Sequence, residues 1–271
     1  MKRILISSLT SLLVFSAVAV RAEEKALEPA FQQIKITEQI GNKVDINNLR
    51  FTDESGQDLP LSTYFGGKKP VIVLLVYYKC PGICNYLLNG FVNSASTLEW
   101  TPGQEFEVVT VSVNPAEGPE LAAAKKATYM KRWGRDVSSG WHWLTGREDQ
   151  IKKLADQLGF GYRYDDESGE FAHSAGIFVL TPDGTISRTL YGIDFPYRDL
   201  KLSLMEASEG KLGTVMDQIL MFCYRYDPFS RGYAFYGIRI MQVGGLLTML
   251  LLGGYLFWFW SRQRKGGQRL N

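Results

Sequence analysis

Histidine is almost missing from this sequence, with two among 271 residues, and cysteine is nearly as rare, with three. Those shortages leave any metal site few soft donors to choose from. Because the cysteine count is odd, at least one of Cys80, Cys84 and Cys223 stays unpaired in any simple disulfide scheme. An excess of charge is lacking as well. Lys and Arg total 30 against 28 Asp and Glu, and the resulting formal charge of +2 comes largely from the two ends of the chain. The body between them is close to neutral, so no basic surface argues for a nucleic-acid partner. Internal repeats and low-complexity tracts are absent too, which sets aside repeat architectures.

The two ends carry the clearest signals. Lys2 and Arg3 precede an apolar run from Ile4 to Val20, then Val20-Arg21-Ala22 gives way to Glu23-Glu24. That pattern predicts a secretory signal peptide over residues 1–22. No cysteine lies near the predicted cleavage point, which leaves lipidation there unsupported. At the other end, Ile240 to Trp260 carries no charge and has roughly the 20 residues that a helix needs to cross a hydrocarbon core. Tyr255, Trp258 and Trp260 gather at its far end as an interfacial belt would, and Arg262, Arg264, Lys265 and Arg269 follow in a basic tail, 261–271. The expected topology is a bacterial cytoplasmic-membrane protein with one C-terminal span, its main domain facing the periplasm or outer face.

Between the ends, an N-terminal extension (23–48) leads into one domain (49–212), followed by an aromatic connector (213–239) that includes Phe222, Tyr224, Tyr226 and Tyr233. Val71 to Tyr78 is a continuous apolar, β-branched run, the pattern of a central strand covered on both faces. Cys80-Pro81-Gly82-Ile83-Cys84 ends it, and helical spacing continues from Asn85 to Leu98. Phe106 to Val113 predicts a second buried strand and Glu120 to Trp133 a second helix. A strand over Trp141 to Leu144, a helix over Arg147 to Leu158 and a turn-rich excursion from Gly159 to Gly169 come next. Gly176 to Leu180 and Thr185 to Tyr191 then predict a hairpin, and Tyr197 to Gly210 a last helix. This order is the thioredoxin layout, a layered α/β sheet, here with an N-terminal extension and a C-terminal transmembrane helix.

Cys80 and Cys84 stand at the junction of the first buried strand and its helix. A thiolate is both a nucleophile and a soft metal ligand, and it is favoured at a helix N-terminus, where unpaired amides offer a positive end. Residues four apart share a helix face, so both sulfurs can turn to one point. Three residues separate them, rather than the two of the usual dithiol oxidoreductase. That spacing leaves room for a metal and still permits a redox-active disulfide in an oxidising compartment. His173, in Phe171-Ala172-His173-Ser174-Ala175, precedes the strand that begins at Gly176, and in the thioredoxin layout that loop lies beside the cysteine junction. Two thiolates and one imidazole suit Cu(I), although zinc also accepts sulfur and nitrogen and would want a fourth ligand. His142, between Trp141 and Trp143, reads as a packing or surface residue. Cys223 reads as a buried free thiol.

Taken together, these motifs resemble the Sco/SenC family of thioredoxin-fold proteins. The matching residues are Tyr77-Tyr78-Lys79-Cys80-Pro81 with Cys84, Val111-Ser112-Val113-Asn114-Pro115, Trp143-Leu144-Thr145-Gly146, and His173-Ser174 followed by a strand and Pro182-Asp183-Gly184. They span Phe51 to Glu209. The resemblance implies that Cys80, Cys84 and His173 are copper ligands, for Cu(I) in preference to Cu(II), and that the cysteine pair cycles between dithiol and disulfide. It also implies copper delivery during cytochrome c oxidase assembly, with oxidase subunit II or another respiratory oxidase subunit as partner. Other periplasmic copper chaperones or thiol reductants would be further partners. Two features depart from the family's habit: Asn114-Pro115 replaces a frequent Asp-Pro, and the span is C-terminal where many members have an N-terminal anchor. The alternative is a membrane-tethered thiol-disulfide oxidoreductase that keeps the target's copper-ligand cysteines reduced. Many thioredoxin-like oxidoreductases carry a proline where this chain has His173-Ser174-Ala175, and its absence favours metal binding.

Overall fold

A computed structural model describes residues 33–209, the strands Tyr224–Asp227 and Gly232–Phe235, and the helix Gly237–Gly266. The expected signal peptide, Cys223 and the end of the basic tail lie outside the described residues. The chain divides into two units, Met1–Leu212 and Gly213–Asn271.

The first unit begins with a small antiparallel hairpin, β1 (Arg50–Thr52) and β2 (Asp58–Pro60). The long apolar run then forms β3 (Val71–Val76), with all six side chains buried. Burying each such Val, Ile or Leu contributes about 1.5–3 kcal/mol, so this strand anchors the core. After it come α1 (Ile83–Ala95), β4 (Glu107–Ser112), α2 (Pro119–Trp133), β5 (Trp141–Leu144), α3 (Glu148–Leu158), β6 (Tyr162–Asp165), β7 (Glu170–His173), β8 (Gly176–Leu180), β9 (Ile186–Tyr191) and α4 (Tyr197–Ala207).

Five strands make the central sheet in the order β5-β4-β3-β8-β9. The first three run parallel, because each is followed by a helix that carries the chain back. β8 turns antiparallel to β3, with Val71 opposite Leu180, and β9 pairs antiparallel with β8. Helix α1 buries Cys84, Leu87, Leu88, Phe91, Val92 and Ala95, the three-and-four spacing of one helical face. A Cβ on Gly90 would stand 1.7 Å from the Ile193 carbonyl oxygen, so a glycine is needed where that loop crosses α1. Trp141 and Trp143 of β5 pack on each other at 5.1 Å, with Tyr129 of α2 stacked on Trp143 at 5.4 Å.

One expectation needs correction. The stretch Gly159 to Gly169 is not only turns: β6 and β7 form a hairpin with Tyr162 opposite His173 and Asp165 opposite Glu170. His173 therefore ends a strand instead of lying in a loop. The strands escaped notice because each has only four residues, too few for the alternation of Tyr-Arg-Tyr-Asp to stand out. The N-terminal stretch also packs on the domain, since Ile36 bridges to Phe160, Lys43 to Thr185, and Val44 and Ile46 are buried.

In the second unit, β10 (Tyr224–Asp227) and β11 (Gly232–Phe235) form an antiparallel hairpin, which the sequence reading of the connector did not anticipate. Helix α5 (Gly237–Gly266) contains Met241–Arg262, 22 residues of mean hydropathy 1.6, long and apolar enough to cross a membrane.

Candidate metal centre

The chain leaves β3 through Tyr77 and Tyr78, both buried, and turns into α1 across the cysteines. The turn is tied from within. Cys80 N–H donates to the Tyr77 carbonyl at 3.3 Å, and Asn85 Nδ2 donates back to the Cys80 carbonyl at 2.9 Å. Each sulfur receives one backbone N–H, from Gly82 to Cys80 Sγ at 3.4 Å and from Tyr77 to Cys84 Sγ at 3.5 Å. Both cysteines are buried free thiols.

Strand β7 brings His173 Nε2 to 3.1 Å from Cys84 Sγ. The ring's other nitrogen, Nδ1, lies 2.8 Å from the Ser174 carbonyl oxygen. A carbonyl only accepts, so Nδ1 carries the proton and the Nε2 lone pair faces the sulfur. Ser174 is itself held, since its N–H and its hydroxyl both donate to the Ile34 carbonyl, at 3.1 and 2.6 Å. The N-terminal stretch thus fixes the imidazole that sequence alone placed beside the thiols. Phe160, at 5.6 Å, and the edge-on ring of Tyr77, at 6.4 Å, close around it.

Burial sets the protonation of this pair. Desolvation lowers the His173 pKa, with the Ser174 carbonyl pulling weakly the other way. The same burial raises the Cys84 pKa, against the opposing pull of the Tyr77 N–H, and Cys80 and Glu117 raise it further. Both groups are neutral at pH 7, with the thiol donating to the imidazole. The positive end of α1 was expected to favour a thiolate; at Cys84 desolvation outweighs it.

Behind the turn sits a residue the sequence reading missed. Glu117 is buried, and its Oε1 accepts Lys79 N–H at 2.8 Å while its Oε2 accepts Tyr78 N–H at 2.7 Å and the Ser112 hydroxyl at 2.6 Å. Asn114, which stands where the resemblance suggested an aspartate, instead shapes the turn by accepting Ala116 N–H at 2.9 Å through Oδ1. The carboxylate near the site comes three residues later. Tyr78 is pinned at its far end too, its single hydroxyl proton shared between the Leu144 and Thr110 carbonyls at 2.7 and 3.1 Å.

Among the described residues, no three His, Cys, Asp or Glu side chains already stand grouped as a metal cage. Cys84 and His173 are together, and Cys80 adjoins Cys84 from the same turn. His142 is elsewhere, against Glu107.

A sequence profile described as SCO1/SenC matches residues 38–199, more than half of the chain. The chain belongs to the SCO1/SenC family. Among solved structures, the Sco domain is similar to a candidate electron transfer protein from Aquifex aeolicus VF5, at 24% identity over 64% of this chain and 96% of that one, with a TM-score of 0.55. A candidate electron transport protein from the same organism is similar at 24% identity, over 62% of this chain and 98% of that one, with a TM-score of 0.51. Arabidopsis thaliana ScoI with copper bound matches at 18% identity over 60% of this chain and 98% of that one, with a TM-score of 0.47. No curated protein matches by sequence. The family match and the mixed central sheet establish the thioredoxin-like Sco fold in this chain.

Proposed function

We propose that this chain is a membrane-tethered copper-binding protein that delivers copper to a respiratory oxidase during assembly, with Cys80, Cys84 and His173 as its ligands. The observation that carries the reading is the 3.1 Å approach of His173 Nε2 to Cys84 Sγ, with the lone pair on that nitrogen and the opposite nitrogen committed to Ser174. Two sulfurs and an imidazole fit a soft, low-coordinate ion. Cys80 completes the set by turning its sulfur from the Gly82 N–H toward the other two, and the cysteines release their protons to solvent as the ion is taken up. The backbone N–H of Tyr77 already points at Cys84 Sγ and stabilises the negative charge that deprotonation leaves there. The Met241–Arg262 segment supplies the membrane tether. Family membership supports the oxidase as recipient, with subunit II or another copper-carrying oxidase subunit accepting the ion through its own thiols.

A second reading has its own observation, the two free thiols in one turn. In that role Cys80 and Cys84 would give two electrons and two protons to a partner disulfide, becoming a disulfide as the partner's cysteines become thiols. Copper content and X-ray absorption of the reduced full-length protein separate the readings. The copper reading expects close to one ion per chain in a sulfur-and-nitrogen environment, and sharply weaker binding in His173→Ala. A reduced protein that takes up no copper yet reduces a partner disulfide would leave only the second.

A further inference from the structure

A charge inside a protein is normally paired with an opposite one, because taking an ion out of water is costly. Glu117 departs from that habit. It is 6% exposed, and its donors among the described residues are the Tyr78 and Lys79 amides and the Ser112 hydroxyl, all neutral, so no cation cancels its charge. Other carboxylates withdrawn from water in this domain differ: Asp199 is paired with Arg198, Glu107 with Lys69 and Glu54 with Lys126. The carboxylate also stands close to the cysteines. Tyr77 N–H points at Cys84 Sγ at 3.5 Å, and the next amide, Tyr78 N–H, points at Glu117 Oε2 at 2.7 Å. Consecutive residues are about 3.8 Å apart along the chain, which puts the carboxylate oxygen within about 10 Å of the sulfur. Both groups are buried.

Metal uptake changes the charge of such a site. Two thiols that exchange two protons for one monovalent ion leave the centre with one negative charge more than before, and a fixed anion nearby opposes that change. Disulfide formation is different. It releases two protons together with two electrons and leaves the charge as it was. We propose that Glu117 weakens the centre's hold on a monovalent soft ion through its negative charge, and so keeps the ion exchangeable. The inference rests on the copper reading and adds to it a residue that favours release. The hydrogen bonds of Glu117 fall on amides and a hydroxyl that are not ligands, so they are made with and without the ion and largely cancel from the affinity. The charge does not cancel.

Competition with a chromogenic Cu(I) chelator, on the full-length reduced protein in detergent, tests this. Two unit charges about 10 Å apart at an effective dielectric constant of about 20 change binding by roughly a factor of ten, so Glu117→Gln should bind Cu(I) about tenfold more tightly than wild type. The reduction potential of the Cys80–Cys84 pair, read against a glutathione buffer, should keep its wild-type value. A role confined to the geometry of the turn predicts otherwise: the variant would bind copper more weakly, or both readings would move together. Equal or weaker Cu(I) affinity in Glu117→Gln would therefore overturn the inference, and so would a potential that shifts as far as the affinity. Ala116→Lys, at the exposed position beside Glu117, sets a cation against the same carboxylate and leaves its hydrogen bonds in place. That variant should tighten Cu(I) binding about twofold in low salt, and the absence of any gain would overturn the inference even where Glu117→Gln does not fold. Failure of the wild type itself to bind copper would remove the copper reading and this inference with it.

Discussion

The two histidines of the Sco domain lie towards opposite ends of the central sheet, His142 within it and His173 on the separate β6–β7 hairpin, and their surroundings have little in common. His142, near the start of β5, places Nε2 3.3 Å from Glu107 Oε2, and Glu107 Oε1 is paired with Lys69 Nζ at 2.9 Å. Its ring rests on Tyr64 at 4.4 Å beside a cavity of about 340 Å³ that is open to solvent. His173, past the other end of β3, is 7% exposed and faces a thiol and a carbonyl. One end of the sheet is an ionic anchor and the other a neutral, soft, dehydrated pocket. A histidine beside a carboxylate and an ammonium already has its charge partners. A neutral imidazole beside the neutral Cys84 thiol gains when that proton is exchanged for a cation, so the difference teaches which end suits a soft metal.

The largest effect should come from removing a proposed ligand at the soft end. Cys84→Ala should cost more copper affinity than the about 10–100-fold typical of losing an outer partner, whereas His142→Ala should leave affinity unchanged. Competition titration checks both, and a loss in His142→Ala would break the comparison.

Next come the two carboxylates. Glu117→Ala leaves a buried N–H, a part-buried N–H and a buried hydroxyl without their acceptor, which should cost about 3 kcal/mol or more in chemical denaturation. Glu107→Ala removes a part-exposed ion pair and should cost about 1 kcal/mol or less. Similar losses in the two variants would mean that the cysteine end is no more dependent on burial than the ionic end.

The smallest effect concerns pH. His173 titrates below its ordinary value of 6.5, so the unfolded chain takes up the proton first as pH falls. Its contribution to the stability of the metal-free protein is present above that value, declines as pH falls from it toward the folded pKa, and changes no further below. His173→Asn should flatten that part of the stability curve, and an unchanged slope would show that His173 does not titrate differently on folding.

Much of the architecture was written in local pattern. The uninterrupted apolar run of Val71–Val76 announced a strand covered on both faces, and the Trp141–Leu144 strand and the helices after β3, β4 and β5 lie close to where periodicity placed them. Cys80 and Cys84 were legible because sulfur is rare and their spacing is short. His173 was legible because there were so few alternatives, yet the strand that carries it was not, since four residues are too few for their alternation to stand out.

What sequence determined by itself was therefore the sheet, the cysteine turn and the apolar segment of α5, all features whose cause lies within a few consecutive residues. Tertiary structure decided the rest. Glu117 reaches amides 38 and 39 positions away, and Ser174 is held by Ile34 from 140 positions away. Such partners are chosen by how elements pack, not by spacing along the chain. The state of the thiols was decided in the same way: a helix N-terminus predicted a thiolate, and only the folded protein showed how completely Cys84 is withdrawn from water, 1% exposed, which keeps its proton in place.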